Sequence, residues 1–291
     1  MKTIVIAAGY ATRLYPLTEN FPKPLLQIGS STILGRMLDD IDTIPEIDEH
    51  IIVTNGKFAS IFEDWAGKRC GSRASSGKSS ASLHPSHSLS LRACGPLPFK
   101  RPRAATDFPE DAPKRQGAVK PITVLSDGTF TNETRLGAVC DLLFAIETLK
   151  IDDDLLVVAA DNILEFSFRG FVEYAKEKGT SCIMCHYEPE IYKLQRTGVI
   201  EVDKDMKVLQ MQEKPQEPVS HWAVPPFYVY LRKDLDLVRH SVENGCGKDA
   251  PGNLAHYMAE HTILHAWPMP GARFDIGSLD TYEEAKLKYI D

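Results

Sequence analysis

Short apolar runs alternate with amphipathic stretches through most of the chain. Ile4-Val5-Ile6, Ile51–Thr54, Ile122–Leu125, Asp154–Ala160 and Ser181–His186 are continuous, β-rich runs of strand length. Such runs fit strands buried on both faces. Between them, Thr32–Ile41, Phe58–Ala66, Leu136–Leu149 and Gly170–Gly179 carry helical character. Strand–helix alternation with right-handed crossovers predicts a doubly wound α/β fold, a mostly parallel sheet with helices on both faces. From Val199 the period changes: Val199–Val202 and Lys207–Met211 alternate around Asp203-Lys204-Asp205 as a hairpin would, and Phe227–Tyr230 reads as another strand. A small β-rich subregion is therefore expected on the α/β core. Asp280–Tyr289 closes the sequence as a helix.

One stretch departs from this pattern. Lys68 to Lys120 holds eleven basic and three acidic residues, nine serines and six prolines, with no Ile, Met, Tyr or Trp. It lacks either period. That composition cannot bury enough apolar surface to offset its ordering entropy, so it is expected to be a disordered insert within a single domain spanning 1–291. A native basic insert and a translated out-of-frame or intronic stretch both fit it.

The net charge of −7 argues against wholesale nucleic-acid binding. No window approaches the roughly 18 apolar residues of a membrane helix, and the N-terminal run is too short for a signal-peptide core. Six cysteines in a chain of this length are not a disulfide framework and point to reduced thiols in the cytoplasm. His84 and His87, with Cys70 and Cys94, do not match zinc spacing.

The chemistry concentrates after the first strand. Ala7-Ala8-Gly9-Tyr10-Ala11-Thr12-Arg13-Leu14 runs into Pro16-Leu17-Thr18, then Pro22-Lys23-Pro24-Leu25. A small-residue turn there lets backbone N–H groups approach phosphate oxygens, and Arg13 and Lys23 add positive charge. Neither a Walker A loop nor G-x-G-x-x-G is present.

These residues resemble the sugar nucleotidyltransferase family, the nucleoside-diphosphate-sugar pyrophosphorylases, over residues 1–66 and 121–291. The resemblance implies a Rossmann-like nucleotidyltransferase fold and the reaction NTP + sugar 1-phosphate → NDP-sugar + pyrophosphate. Arg13 and Lys23 would then be catalytic, while Ala8, Gly9, Thr12 and Gly137 would contact the nucleotide. Asp161 and Asp275 would hold Mg²⁺. Gly198 in Thr197-Gly198-Val199-Ile200-Glu201, and Glu213 and Lys214 in Glu-Lys-Pro, would bind the sugar phosphate. The implied partners are the two substrates, without nucleic acid or membrane; a homo-oligomer is compatible.

Two departures are visible. Ala11 stands where the family usually has glycine, and alanine does not adopt positive φ cheaply. Ala223-Val224-Pro225-Pro226 stands where many relatives carry Asn-Ala-Gly, so a different acceptor pocket is expected, because proline donates no backbone hydrogen bond. The chain lacks hexapeptide repeats. A nucleotidyltransferase for a non-sugar phosphate such as phosphocholine, and a catalytically silent regulatory paralogue, are the alternatives.

Overall fold

The computed structural model describes residues 1–71 and 118–290. The strands in chain order are β1 (Lys2–Ile6), β2 (Gln27–Ile28), β3 (Ser31–Thr32), β4 (Glu49–Thr54), β5 (Ile122–Ser126), β6 (Leu155–Ala159), β7 (Asn162–Leu164), β8 (Ser181–Tyr187), β9 (Gly198–Val202), β10 (Val208–Glu213), β11 (Trp222–Val224), β12 (Phe227–Tyr230), β13 (Leu264–Pro268) and β14 (Arg273–Asp275). The α-helices are α1 (Ile33–Ile41), α2 (Ala59–Gly71), α3 (Ala138–Leu149), α4 (Arg169–Lys178), α5 (Ile191–Leu194), α6 (Asp236–Glu243), α7 (Pro251–His261) and α8 (Leu279–Lys288).

The main sheet runs β10-β9-β11-β8-β12-β6-β1-β4-β5, with β13 beside β8. Strands β5, β4, β1 and β6 are parallel, with Ile4 in register with Ile51 and Val157. Beyond β6 the direction reverses: β12 pairs antiparallel with β6 and β8, and β11, β9 and β10 continue antiparallel. This wing is the β-rich subregion expected from the sequence, and β9–β10 is its predicted hairpin.

Alternation along β1 explains the two layers. Ile4 and Val5 are both fully buried but belong to different cores. Ile4 belongs to the core that holds Val139 and Leu142 of α3 and Met258 of α7. Val5 belongs to the one that holds Leu38 of α1, Phe62 of α2 and Phe171 of α4. Successive side chains of a strand point to opposite faces, so an all-apolar strand requires helices on both. Helix α1 starts where the Thr32 side chain accepts the Gly35 N–H, and α8 where Ser278 accepts the Thr281 N–H.

The expected insert boundary is corrected. Helix α2 continues through Lys68 to Gly71, and Arg69 is buried against Asp42 and Asp39. The backbone N–H of Lys120 donates to Asp42. Composition placed these residues outside the fold because a basic residue counts as solvated until its carboxylate partner, distant in sequence, is known. The rest of the stretch, 72–117, lies outside the described residues.

Candidate functional site

The loop after β1 lies at the carboxyl end of the parallel strands, beside the strand-order reversal around β1, where doubly wound folds bind ligands. Gly9 is exposed, and a Cβ there would meet open space, which leaves its backbone accessible. Ala8 is buried, its carbonyl accepting the Asn55 side-chain amide. Thr12-Arg13-Leu14 forms a 3₁₀ turn that exposes Thr12 and Arg13 and buries Leu14. Ala11 takes positive φ, +46°, despite its Cβ. The Thr18 hydroxyl donates to the Ala11 carbonyl at 2.8 Å, so the Pro-Leu-Thr element holds this strained residue in place.

Lys23 opens a second 3₁₀ turn between Pro22 and Pro24. Its side chain is only 10% exposed, and its Nζ lies 2.9 Å from Asp161 Oδ2. Asp161 follows β6, and its other oxygen accepts the Asn162 amide at 2.6 Å. Strand β14 pairs with β7 in a separate ribbon that sets Asp275 opposite Asn162, while the Ile276 N–H bonds the Asp161 carbonyl. The two aspartates predicted as metal ligands are thus brought together, with Lys23 between the loop and Asp161. Crowding protein raises the Asp275 carboxyl above its ordinary range, and the Asp161 charge adds to this; Arg273, Lys23 and Arg13 oppose it. Two repelling carboxylates beside a phosphate-accessible loop suit a hard divalent cation, and Mg²⁺ takes one or two carboxylates plus phosphate oxygens.

On the antiparallel wing, Gly198, Glu213 and Lys214 converge on a cavity of about 480 Å³. A Cβ at Gly198 would lie 3.3 Å from Glu213 Oε2 and 3.0 Å from Met211 Cε. Glu213 is tucked against the first turn of α7, where a Cβ on Gly252 would overlap its carboxylate. Burial raises the Glu213 carboxyl, against the nearby Lys214. Lys214 has positive φ, +49°, its N–H bonded to the Thr197 carbonyl, and its Nζ is 3.7 Å from Glu213 Oε1.

A second cavity, about 370 Å³, is lined by Asp161, Asp275, His186, Arg273, Pro225 and Glu188, among others. It shares Arg196, Thr197 and Pro226 with the first. Burial, then the Arg273 charge, pushes the His186 imidazole down to about 4, leaving it neutral at physiological pH.

Gly137 lines neither of these two cavities. It caps α3 with φ +93°, and its missing Cβ makes room for the Lys248 carbonyl, which would otherwise lie 2.5 Å away. The chain's own 248–249 backbone therefore accounts for glycine at this position.

Sequence reading missed Gly252, His186, Arg196 and Arg273. Arg273 was recoverable, since it stands two residues before Asp275 and a strand puts both on one face. Pro251-Gly252 was readable as a helix start. His186 and Arg196 carried no local signal.

An open loop over a doubly wound sheet, with Lys23 and two neighbouring aspartates beside it, defines an α/β protein with a charged cleft at the carboxyl ends of its parallel strands. The chain belongs to the nucleotidyl transferase family, whose model matches residues 2–81 and 117–291. Among curated relatives it is 23% identical to a glucose-1-phosphate adenylyltransferase of Fervidobacterium nodosum, over 99% of this chain and 60% of that protein. It is 25% identical to a putative mannose-1-phosphate guanyltransferase of Sulfolobus acidocaldarius, over 100% and 63%. The chain thus spans about three-fifths of both relatives. Its fold is similar to a UDP-glucose pyrophosphorylase complexed with UDP-glucose, with TM-score 0.71, 17% identity and coverage of 99% and 97%. It is also similar to a putative glucose-1-phosphate thymidylyltransferase from Bacillus anthracis, with TM-score 0.68, 19% identity and coverage of 100% and 96%. No helix among the described residues is long and apolar enough to cross a membrane.

Proposed function

We propose that this chain transfers a nucleotidyl group from an NTP to a sugar 1-phosphate, releasing pyrophosphate. The observation that carries this reading is the pairing of two half-sites. Lys23, Asp161 and Asp275 gather beside the loop, and the cavity next to them adjoins the one lined by Glu213 and Lys214.

The acceptor phosphate oxygen is already anionic, so its attack needs no general base. It forms a bond to the α-phosphorus as the bond to the β-phosphate bridging oxygen breaks, and pyrophosphate leaves with that electron pair. The protein aligns the reactants and offsets their charge. Arg13 and Lys23 meet the triphosphate, and the open backbone at Gly9 lets it approach. Lys214 fixes the acceptor phosphate, and Glu213 orients the sugar across Gly198. Asp161 and Asp275 would hold Mg²⁺, which when bound supplies charge neutralisation at the phosphates.

The lining opposes phosphocholine as acceptor. A quaternary ammonium favours an aromatic cage, and Tyr228 is the one Phe, Tyr or Trp among the residues lining the two cavities. Pyrophosphate release across four NTPs and a panel of phosphorylated acceptors tests the proposal. Turnover with a sugar 1-phosphate is expected. Nucleotide binding without pyrophosphate from any pair would overturn it in favour of a binding-only protein.

A further inference from the structure

We propose that Arg196 and Arg273 form a second anion site in the cavity beside the two aspartates, reached from the acceptor cavity past Arg196, so that the acceptor is a sugar 1-phosphate carrying another negative group, a carboxylate or a second phosphate. This rests on the reaction proposed above and names its substrate class.

Both guanidiniums line the same cavity of about 370 Å³. Of the three acids in the same lining, Asp275 is offset by the Arg273 charge without an ion pair between them, and the other two have partners of their own. Asp161 is engaged by Lys23 and Asn162. Glu188 accepts the Glu190 N–H and lies 3.8 Å from Lys193. Among the described residues no carboxylate lies within ion-pair distance of Arg196. Arg273 donates one bond, at 2.6 Å, to Asn162 Oδ1, which fixes its plane without neutralising its charge. Two arginines that line one cavity, with no carboxylate of the described residues within ion-pair distance of either, match the fork geometry of a carboxylate or phosphate.

The wall around them points the same way. Pro225 and Pro226 offer no N–H, and the Thr197 hydroxyl is spent on the Val224 carbonyl. Donors to a ligand here must come from side chains, chiefly the two arginines and the neutral His186, since Lys193 of the same lining is held by Glu188 and Glu190. The reacting phosphates have their own cations in Arg13, Lys23 and Lys214, which makes this pair surplus to the transfer step. Arg196, Thr197 and Pro226 border both cavities, so an acceptor anchored at Lys214 has a continuous path to the pair.

Three acceptors separate the possibilities: a hexose 1-phosphate, the matching hexuronate 1-phosphate and the hexose 1,6-bisphosphate. The wild-type protein should favour one of the two doubly anionic acceptors by about tenfold in kcat/KM, the size expected for a hydrogen-bonded charge. Which one wins distinguishes carboxylate from phosphate. Arg196→Gln should collapse that ratio through KM for the anionic acceptor, and Arg196→Lys should restore part of it. Preference for the neutral hexose 1-phosphate overturns the proposal. So does an equal loss for all three in Arg196→Gln, which would assign Arg196 to the reacting phosphate. Calorimetric binding of the same acceptors reads the site independently of turnover. A retained preference without pyrophosphate release would sink the reaction and keep the site, whereas equal binding of all three would sink the site.

Discussion

Asp42 and Arg69 form a buried ion pair at 2.7 Å. The same carboxylate accepts the His50 ring and, at 2.9 Å, the backbone N–H of Lys120. The chain on both sides of residues 72–117 is therefore fastened to one side chain. Replacing 72–117 with a short Gly/Ser linker should keep melting temperature and turnover. Replacing 68–120 should not, because it strands Asp42; breaking a buried pair costs about 3–5 kcal/mol. Thermal denaturation of the two deletions checks this, and equal melting temperatures would refute the clamp.

Ala11 is held at φ +46° by Thr18. Alanine in the left-handed region costs about 1–2 kcal/mol, so Ala11→Gly should stabilise the protein by about 1 kcal/mol. In a chain of this size that is about 2–4 °C in melting temperature. An unchanged or lower value would show that the loop does not hold strain.

Gly252 leaves no room for a Cβ beside the Glu213 carboxylate. Gly252→Ala should expel Glu213 from the first cavity and raise KM for the acceptor by about tenfold, with a smaller change in kcat. Steady-state kinetics at saturating NTP separates the two parameters. A normal acceptor KM would remove Glu213 from the sugar site.

Asp141 is 3% exposed, and its Oδ1 has no hydrogen-bond partner. Burial, then the charge of Asp127, pushes its carboxyl up to about 7 from 3.8. An unfolded chain releases this proton near pH 4 while the folded one keeps it to about 7. Stability therefore falls as pH rises through that window, and the penalty is complete above it. Asp141→Asn should add up to about 3 kcal/mol at pH 8 and little at pH 4. Chemical denaturation at both pH values reads the difference, and a pH-independent effect would contradict the assignment.

Asp275 and Asp161 repel each other beside Lys23. Asp275→Asn should abolish Mg²⁺-dependent turnover without lowering the melting temperature, because it removes a crowded charge. Asp161→Ala should lose turnover and also destabilise, because it leaves buried Lys23 without its partner. Near-wild-type turnover of either folded variant would rule out the metal assignment.

The apolar runs at Ile4, Ile51 and Leu155 announced the parallel half because those strands are buried on both faces and carry no polar alternation, and Ile122 begins a similar run at the half-buried sheet edge. The Asp203–Asp205 turn announced the β9–β10 hairpin. Helix α7, strand β13 and the β7–β14 ribbon were not read, since His256 and Glu260 interrupt the apolar pattern of α7 and the ribbon strands have three residues each. At the site, Arg13, Lys23, Asp161 and Asp275 were legible through motifs close in sequence to strand ends. His186 and Arg196 were not, because their cavity exists only once β8, β11 and β14 are assembled.

The run of parallel strands ends where Phe227 of β12 faces Val158 of β6. Asp161 and the phosphate loop stand on the parallel side of that line, while Gly198, Glu213 and Lys214 stand on the antiparallel side. Under the proposed reaction, donor handling and acceptor choice fall on different strands of one sheet. Hairpins of the wing can be exchanged or lengthened at their exposed turns while the nucleotide half keeps its packing, so a lineage can change what it activates without relearning how to activate it.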